Sequence, residues 1–181
     1  MRLYASDNSE SKGSWRGILE YRKTIILKDG RICILRNGTE KDGKAVLDNF
    51  ILTHGQTDNL LSYPDESDIT AEQEAHFLKS KTESASEIEI LAEVNSFIAG
   101  LAGIDQVGSK YKVRHRADFG ISVDQAYWGL GIGRALMEER LQIPPVRVSG
   151  TCVFEIGIVR TMKMLKTMSR LCMRSGLGMS I

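Results

Sequence analysis

The chain has 181 residues, a formal net charge of +1, 42% hydrophobic and 26% charged residues, which suits one globular domain with a core large enough to fold unaided. The near-neutral balance argues against a large nucleic-acid footprint, and with no signal peptide and no apolar run of spanning length the expected location is the cytoplasm, without a membrane span. Cys33, Cys152 and Cys172 are an odd set without a C-x-x-C pair, and His54, His76 and His115 share no ligand spacing, so neither a disulfide framework nor a metal site is expected.

Residues 1 to 22 are polar and Ser-rich and read as a loosely docked extension. A domain is expected over residues 23 to 142. It opens with two strands, TIIL and RICIL, joined by Asp29 and Gly30, a strong hairpin signal. Thr39 then serves as an N-cap for a helix reaching about Thr53, with Ala45, Val46, Phe50 and Ile51 as its apolar stripe. Thr70 and Gln73 form a capping box for a second helix through about Lys79, with Ala71, Ala75 and Leu78 inward.

Glu87 to Val94 alternates strictly, Ile88, Ile90, Ala92 and Val94 on one face and Glu87, Glu89, Leu91 and Glu93 on the other, as in a half-buried strand. Asn95 and Ser96 turn the chain into a second strand, Phe97 to Ile104. A polar loop from Asp105 to Lys112 leads to a third, near Arg116 to Val123. The fold class expected is therefore α/β with a mixed sheet, an antiparallel meander feeding the next element.

That element is AYWGLGIGRALMEERL, residues 126 to 141, where Gly129, Gly131 and Gly133 stand at every second position before an apolar, helix-forming run. Glycines let a backbone approach a ligand closely. The first helical turn then offers N–H groups without internal partners at the positive end of the helix dipole, which favours a phosphate or pyrophosphate. Two familiar phosphate patterns fail on spacing. Arg134 and Ala135 follow the last glycine where a Walker loop needs Lys and then Ser or Thr, and G-x-G-x-G in mid-chain is not the G-x-G-x-x-G dinucleotide fingerprint. An ordinary tight turn is the remaining alternative, and the meander ahead of the glycines weighs against it.

The order of meander, the strand RADFGISV, and AYWGLGIGRALMEE resembles the central motif of the GNAT superfamily of acyl-CoA-dependent N-acyltransferases, over about Glu87 to Leu141. The family writes its loop as Gln or Arg, x, x, Gly, x, Gly or Ala. This falls on Trp128, Gly129, Leu130, Gly131, Ile132 and Gly133, with Trp128 departing from the usual first residue. The resemblance implies that Leu130, Gly131, Ile132, Gly133 and Arg134 hold the CoA pyrophosphate. It also implies that the backbone of Ile121, Ser122 and Val123 pairs with the pantetheine arm, and that the two earlier helices wall the acceptor cleft.

It further implies direct transfer of an acetyl group from acetyl-CoA to a primary amine, on a small molecule or a peptide, with no metal. A free alkyl ammonium has a pKa of about 10.4, so a group must take its proton. Asp118, on the strand before the thioester position, is the first candidate for this base, against the alternative of a solvent-facing strand residue. Glu93 and His115 are weaker candidates. A backbone N–H near Ile121 is the candidate oxyanion donor.

The last part, residues 143 to 181, breaks the pattern. The family continues with a strand, a helix that begins with Asn and ends with a Tyr acting as acid toward the thiolate, and a closing strand pair. None of these can be read here. Pro144 and Pro145 stop the preceding helix. Residues 147 to 181 hold six Lys or Arg against Glu155 alone, and five of the seven methionines.

One reading takes Val159 to Met173 as a basic amphipathic helix for a membrane surface or a partner. A simpler one takes it as a terminal helix. A third takes the tail as translated out of frame. Methionine has the single codon ATG, and the shifted codons from Met162 to Leu165 give Glu, Asn or Asp, and Ala or Val. Those from Leu171 to Ser175 allow Leu, Tyr or His, Glu or Ala, and Lys, so that Glu-Asn-Ala and Leu-Tyr-Glu-Lys resemble the missing motif. A non-catalytic CoA-binding or partner-binding protein is therefore the alternative function. An incomplete closing layer would leave the strand Arg116 to Val123 open to association into a homo-oligomer.

Overall fold

A computed structural model describes residues 21–58, 60, 62–84, 87–106, 108, 117–140, 151–153 and 178–180. β1 (Arg22–Ile26) and β2 (Ile32–Asn37) form the expected antiparallel hairpin. Gly30 sits at φ +88° and the Leu27 N–H donates to the Arg31 carbonyl at 2.8 Å. The sheet begins inside the segment read as an extension. Arg22 pairs with Arg36, and Tyr21 receives the Asn37 N–H at 3.2 Å.

α1 (Gly43–Gly55) and α2 (Ala71–Glu83) follow. Thr39 does not cap α1. It closes a single 3-10 turn, Glu40–Asp42, in which Asp42 accepts from its N–H at 2.9 Å and its hydroxyl at 2.8 Å. The buried face of α1 is Gly43, Val46, Asn49 and Thr53, so that of the predicted stripe Val46 is buried while Ile51 is 47% exposed. The cause is a helix crossing at Gly43. A Cβ there would lie 2.6 Å from the Ala71 carbonyl oxygen and 2.7 Å from the Ala75 nitrogen, so α2 rests on bare backbone and fixes the rotation of α1. Gly43→Ala is accordingly expected to push the helices apart and cost about 1–3 kcal/mol, read as a lowered midpoint in thermal unfolding. An unchanged midpoint would mean that the crossing adjusts freely.

α2 has its capping box, with the Gln73 N–H on the Thr70 hydroxyl at 3.3 Å and the Thr70 N–H on Gln73 Oε1 at 2.8 Å. It runs past Lys79 to Glu83, and its buried residues are Leu78 and Lys81, while Ala71 and Ala75 stay only partly covered.

β3 (Ile88–Val94), β4 (Phe97–Gln106) and β5 (Ala117–Val123) form the meander. Asn95 and Ser96 both take positive φ, as a two-residue hairpin turn requires. β3 is covered on both faces, contrary to the half-buried reading, because α1 and α2 lie over the face bearing Glu89 and Leu91. Two cores result. Ile90, Ala92, Ala102, Ile104 and Phe119 meet Ile132, Leu136 and Met137 of α3 (Ile132–Arg140) on one side of the sheet. Leu91, Ile98 and Leu101 meet Val46 and Leu78 on the other.

The late part of the chain supplies β6 (Thr151–Val153) and β7 (Gly178–Ser180), each parallel to its neighbour, and the sheet order is β1-β2-β3-β4-β5-β6-β7. Both lie in the segment where no strand can be read from the sequence. Three residues are too few to show alternation. The expected helix from Val159 to Met173 and the codons of the out-of-frame reading lie outside the described residues.

Candidate active site

Among the described residues β5 pairs with β6 at Asp118 and Val153, and none of them pairs with Ile121–Val123 on the side away from β4. A cavity of about 270 Å³ lies at this end of β5. Ile121, Ser122 and Val123 form one wall, and Trp128, Gly129, Gly131, Ile132 and Gly133 another. Thr53, Thr57, Leu60 and Tyr127, which the sequence reading did not single out, complete it. The predicted strand segment and most of the predicted glycine loop therefore meet at one cavity.

The glycines act at particular positions. Gly129 (φ +77°) and Gly131 (φ +106°) occupy the left-handed region, and a Cβ built on either meets no atom within 4 Å. The space in front of both is open for a ligand that approaches the backbone closely, as a pyrophosphate would. Gly133 lies in the first turn of α3, and the Ala135 N–H closes the helix on the Gly131 carbonyl at 3.0 Å. Leu130 and Arg134 do not line the cavity. Leu130 packs on the core, and Arg134 is exposed beside Glu138 at 4.0 Å.

Trp128 faces the cavity, and its indole N–H donates to the Val123 carbonyl at 2.7 Å. That carbonyl therefore points away from β4. Alternation along an antiparallel strand turns the N–H and C=O of Ile121 to the same edge. A side-chain clamp holds this corner. Gln56 donates through Nε2 to Asp124 Oδ1 at 2.9 Å and accepts the Gln125 N–H at 2.8 Å, joining the end of α1 to the turn after β5.

Asp118 lies three residues before Ile121, roughly 10 Å along an extended strand, and outside the cavity lining. It stands opposite Asp105, whose carboxylate is bound by Lys81 Nζ at 2.8 Å. Glu93, the second candidate, is engaged by Arg36 Nε at 2.8 Å, and Arg36 also binds Asp42 at 2.7 Å. His115 lies outside the described residues. Burial holds the His54 imidazole below its ordinary pKa, against the pull of the Phe50 carbonyl 2.9 Å from Nδ1. Burial, aided by Glu93, pushes the Cys33 thiol up to about 11, so it is no nucleophile.

The model of the acetyltransferase (GNAT) family matches residues 54–144, half of the chain, and the protein belongs to that family. A GNAT-family acetyltransferase structure from Streptococcus pneumoniae is 28% identical with a TM-score of 0.58, covering 60% of this chain and 64% of its own, so this chain spans just under two thirds of that relative. The GNAT domain of PAT from S. lividans aligns over 83% of this chain and 86% of its own, with a TM-score of 0.61 and 16% identity. A putative acetyltransferase from Salmonella typhimurium, solved with its cofactor acetyl-CoA, aligns over 59% of this chain and 60% of its own, with 16% identity and a TM-score of 0.51. At those identities the last two bear on the fold alone. None of the curated proteins matches the chain. Among the described residues no helix is long and apolar enough to cross a membrane, and no cluster of three His, Cys, Asp or Glu could hold a metal ion.

Proposed function

We propose that this chain is an N-acetyltransferase that binds acetyl-CoA and a primary amine together, the amine being carried by a small molecule or a peptide. The observation that carries the reading is the cavity that Ile121–Val123 of β5 and the glycine loop before α3 line together. Acetyl-CoA would supply a thioester-activated acetyl group for direct attack by the free amine. The N–H groups of the loop from Leu130 to Arg134 would hold its pyrophosphate at the positive end of α3. The arm would lie along Ile121–Val123 as an added strand. With the Val123 carbonyl occupied by Trp128, the edge offers the arm the Ile121 backbone in its place. A backbone N–H near Ile121 would steady the oxyanion.

Asp118 is proposed as the group that accepts the amine's proton, through water across the distance to the cavity. Its replacement by Asn should lower kcat/KM on the order of 100-fold near pH 6.5. The deficit should narrow as pH rises toward the amine's own pKa of about 10.4, with CoA affinity unchanged. Superimposable pH-rate profiles for parent and variant would remove Asp118 from this role.

None of the five tyrosines lies beyond Tyr127. The family's thiolate acid is therefore absent from the residues after the helix, which favours the second reading, a CoA-binding protein without turnover. Calorimetry with CoA combined with acetyl transfer to a panel of amines separates the two. Binding with turnover supports the enzyme, binding alone supports the second reading, and no binding refutes both.

A further inference from the structure

The β1–β2 hairpin reaches across to the glycine loop, more than one hundred residues later in the chain. Lys28 touches it twice. Its backbone N–H donates to the Leu130 carbonyl at 3.2 Å, and its ammonium donates to the Gly129 carbonyl at 2.7 Å. Arg31, at the other end of the turn, sits over the Tyr127 ring with Cζ 4.9 Å from its centroid. Asp29 does not compete for Lys28, because Arg31 holds its carboxylate at 2.7 Å.

The consequence follows from the trans peptide, in which a carbonyl and the next residue's N–H point in opposite directions. With the Gly129 and Leu130 carbonyls drawn toward the hairpin, the N–H groups of Leu130 and Gly131 are turned away from it, to the side where Gly129 and Gly131 line the cavity. Left-handed φ at Gly129 and Gly131 permits this orientation, but permission is not selection, since a glycine peptide plane can rotate. The ammonium also places a positive charge directly behind the peptide whose N–H would meet an anion.

We propose that Lys28 is a positioning residue of the cradle, aiming the loop's N–H groups at a pyrophosphate from behind without contacting it. This rests on the glycine loop being the CoA site. The test compares the parent with Lys28→Met, which keeps the length and the backbone bond, and with Lys28→Arg, which restores a cationic donor. Each is titrated by calorimetry with CoA, with 3′-dephospho-CoA and with acetyl-pantetheine, which lacks the pyrophosphate.

Lys28→Met should weaken CoA and 3′-dephospho-CoA equally, by about tenfold, as the loss of one charged hydrogen bond would. Acetyl-pantetheine binding should be unaffected, and Lys28→Arg should recover most of the loss. A general loosening of the fold would weaken all three ligands alike and would overturn the proposal, as would a loss confined to ligands bearing the 3′-phosphate, or CoA binding within twofold of the parent. A parent that binds no CoA refutes the cradle itself, and the proposal with it, whereas a binding parent with an unaffected Lys28→Met variant refutes the proposal alone.

Discussion

Gly131→Val is expected to reduce CoA affinity by more than about 100-fold, the equivalent of losing two charge-assisted hydrogen bonds, in a protein that still folds. Gly131 has φ +106°, a conformation closed to a β-branched residue. Holding Val there would cost about 1–3 kcal/mol, so the loop relaxes and its N–H groups lose their common direction. The side chain would also extend into the space where a Cβ meets no atom within 4 Å. Gly133→Ala is the control. Its φ is not in the left-handed region, and a Cβ there would make ordinary contact with Val123 Cγ2 at 3.8 Å, so affinity should change by no more than a few-fold. Calorimetry on both variants decides the matter. Parent-like binding by Gly131→Val would mean that the pyrophosphate lies elsewhere.

The parts of the fold legible in the sequence are those governed by local rules. Asp29-Gly30, Asn95-Ser96 and the Thr70-Gln73 box each specify a backbone geometry within four residues, and each appears where expected. The meander was legible because β3 keeps its period of two, even though both of its faces are covered. Apart from Thr39, which caps the 3-10 turn ahead of α1, what failed depended on distant contacts. The rotation of α1 follows from α2 resting on Gly43, which no hydrophobic count along α1 can reveal. Glu89 read as a solvent-facing carboxylate because its partner, Lys81, stands on another element.

The site divides along the same line. The glycine loop and the strand Ile121–Val123 are local patterns, and both line the cavity. Thr53, Thr57 and Leu60 reach it because Gln56 ties the end of α1 to Asp124 and Gln125, a contact across 68 and 69 residues that leaves no short-range signal. Lys28 was equally hidden. A lysine in a hairpin turn reads as solvated until the turn is seen to abut the carbonyls of Gly129 and Leu130.

The largest effect on stability is expected from Lys81→Met. Lys81 is 2% exposed, with its ammonium 3.0 Å from Glu89 Oε2, 2.8 Å from Asp105 Oδ1 and 4.5 Å from the centre of the Phe77 ring. Burial works against its charge, but Glu89 and Asp105 together outweigh burial and raise its pKa above the ordinary 10.5. A raised folded-state pKa means that this stabilisation is fully present below the unfolded value and is lost only as pH climbs through the folded one. Lys81 itself therefore adds no pH dependence between pH 5 and 9. Removing the ammonium takes the Lys81 charge away from Glu89, which is 7% exposed, and breaking a buried pair in this way costs about 3–5 kcal/mol. Asp105, 47% exposed, can turn to water and contributes little. With the Lys81 charge gone, the buried Glu89 carboxylate would shift toward its neutral form. The folded variant would bind a proton that the unfolded chain releases, so its stability should rise as pH falls from 8 toward 5. Denaturant unfolding of the variant should show its largest deficit at pH 8 and a smaller one at pH 5, and adding Glu89→Gln should recover much of the loss at pH 8. A deficit that is constant with pH, or a double variant no more stable than Lys81→Met, would locate the cost in packing against Phe77 and not in the charge left on β3.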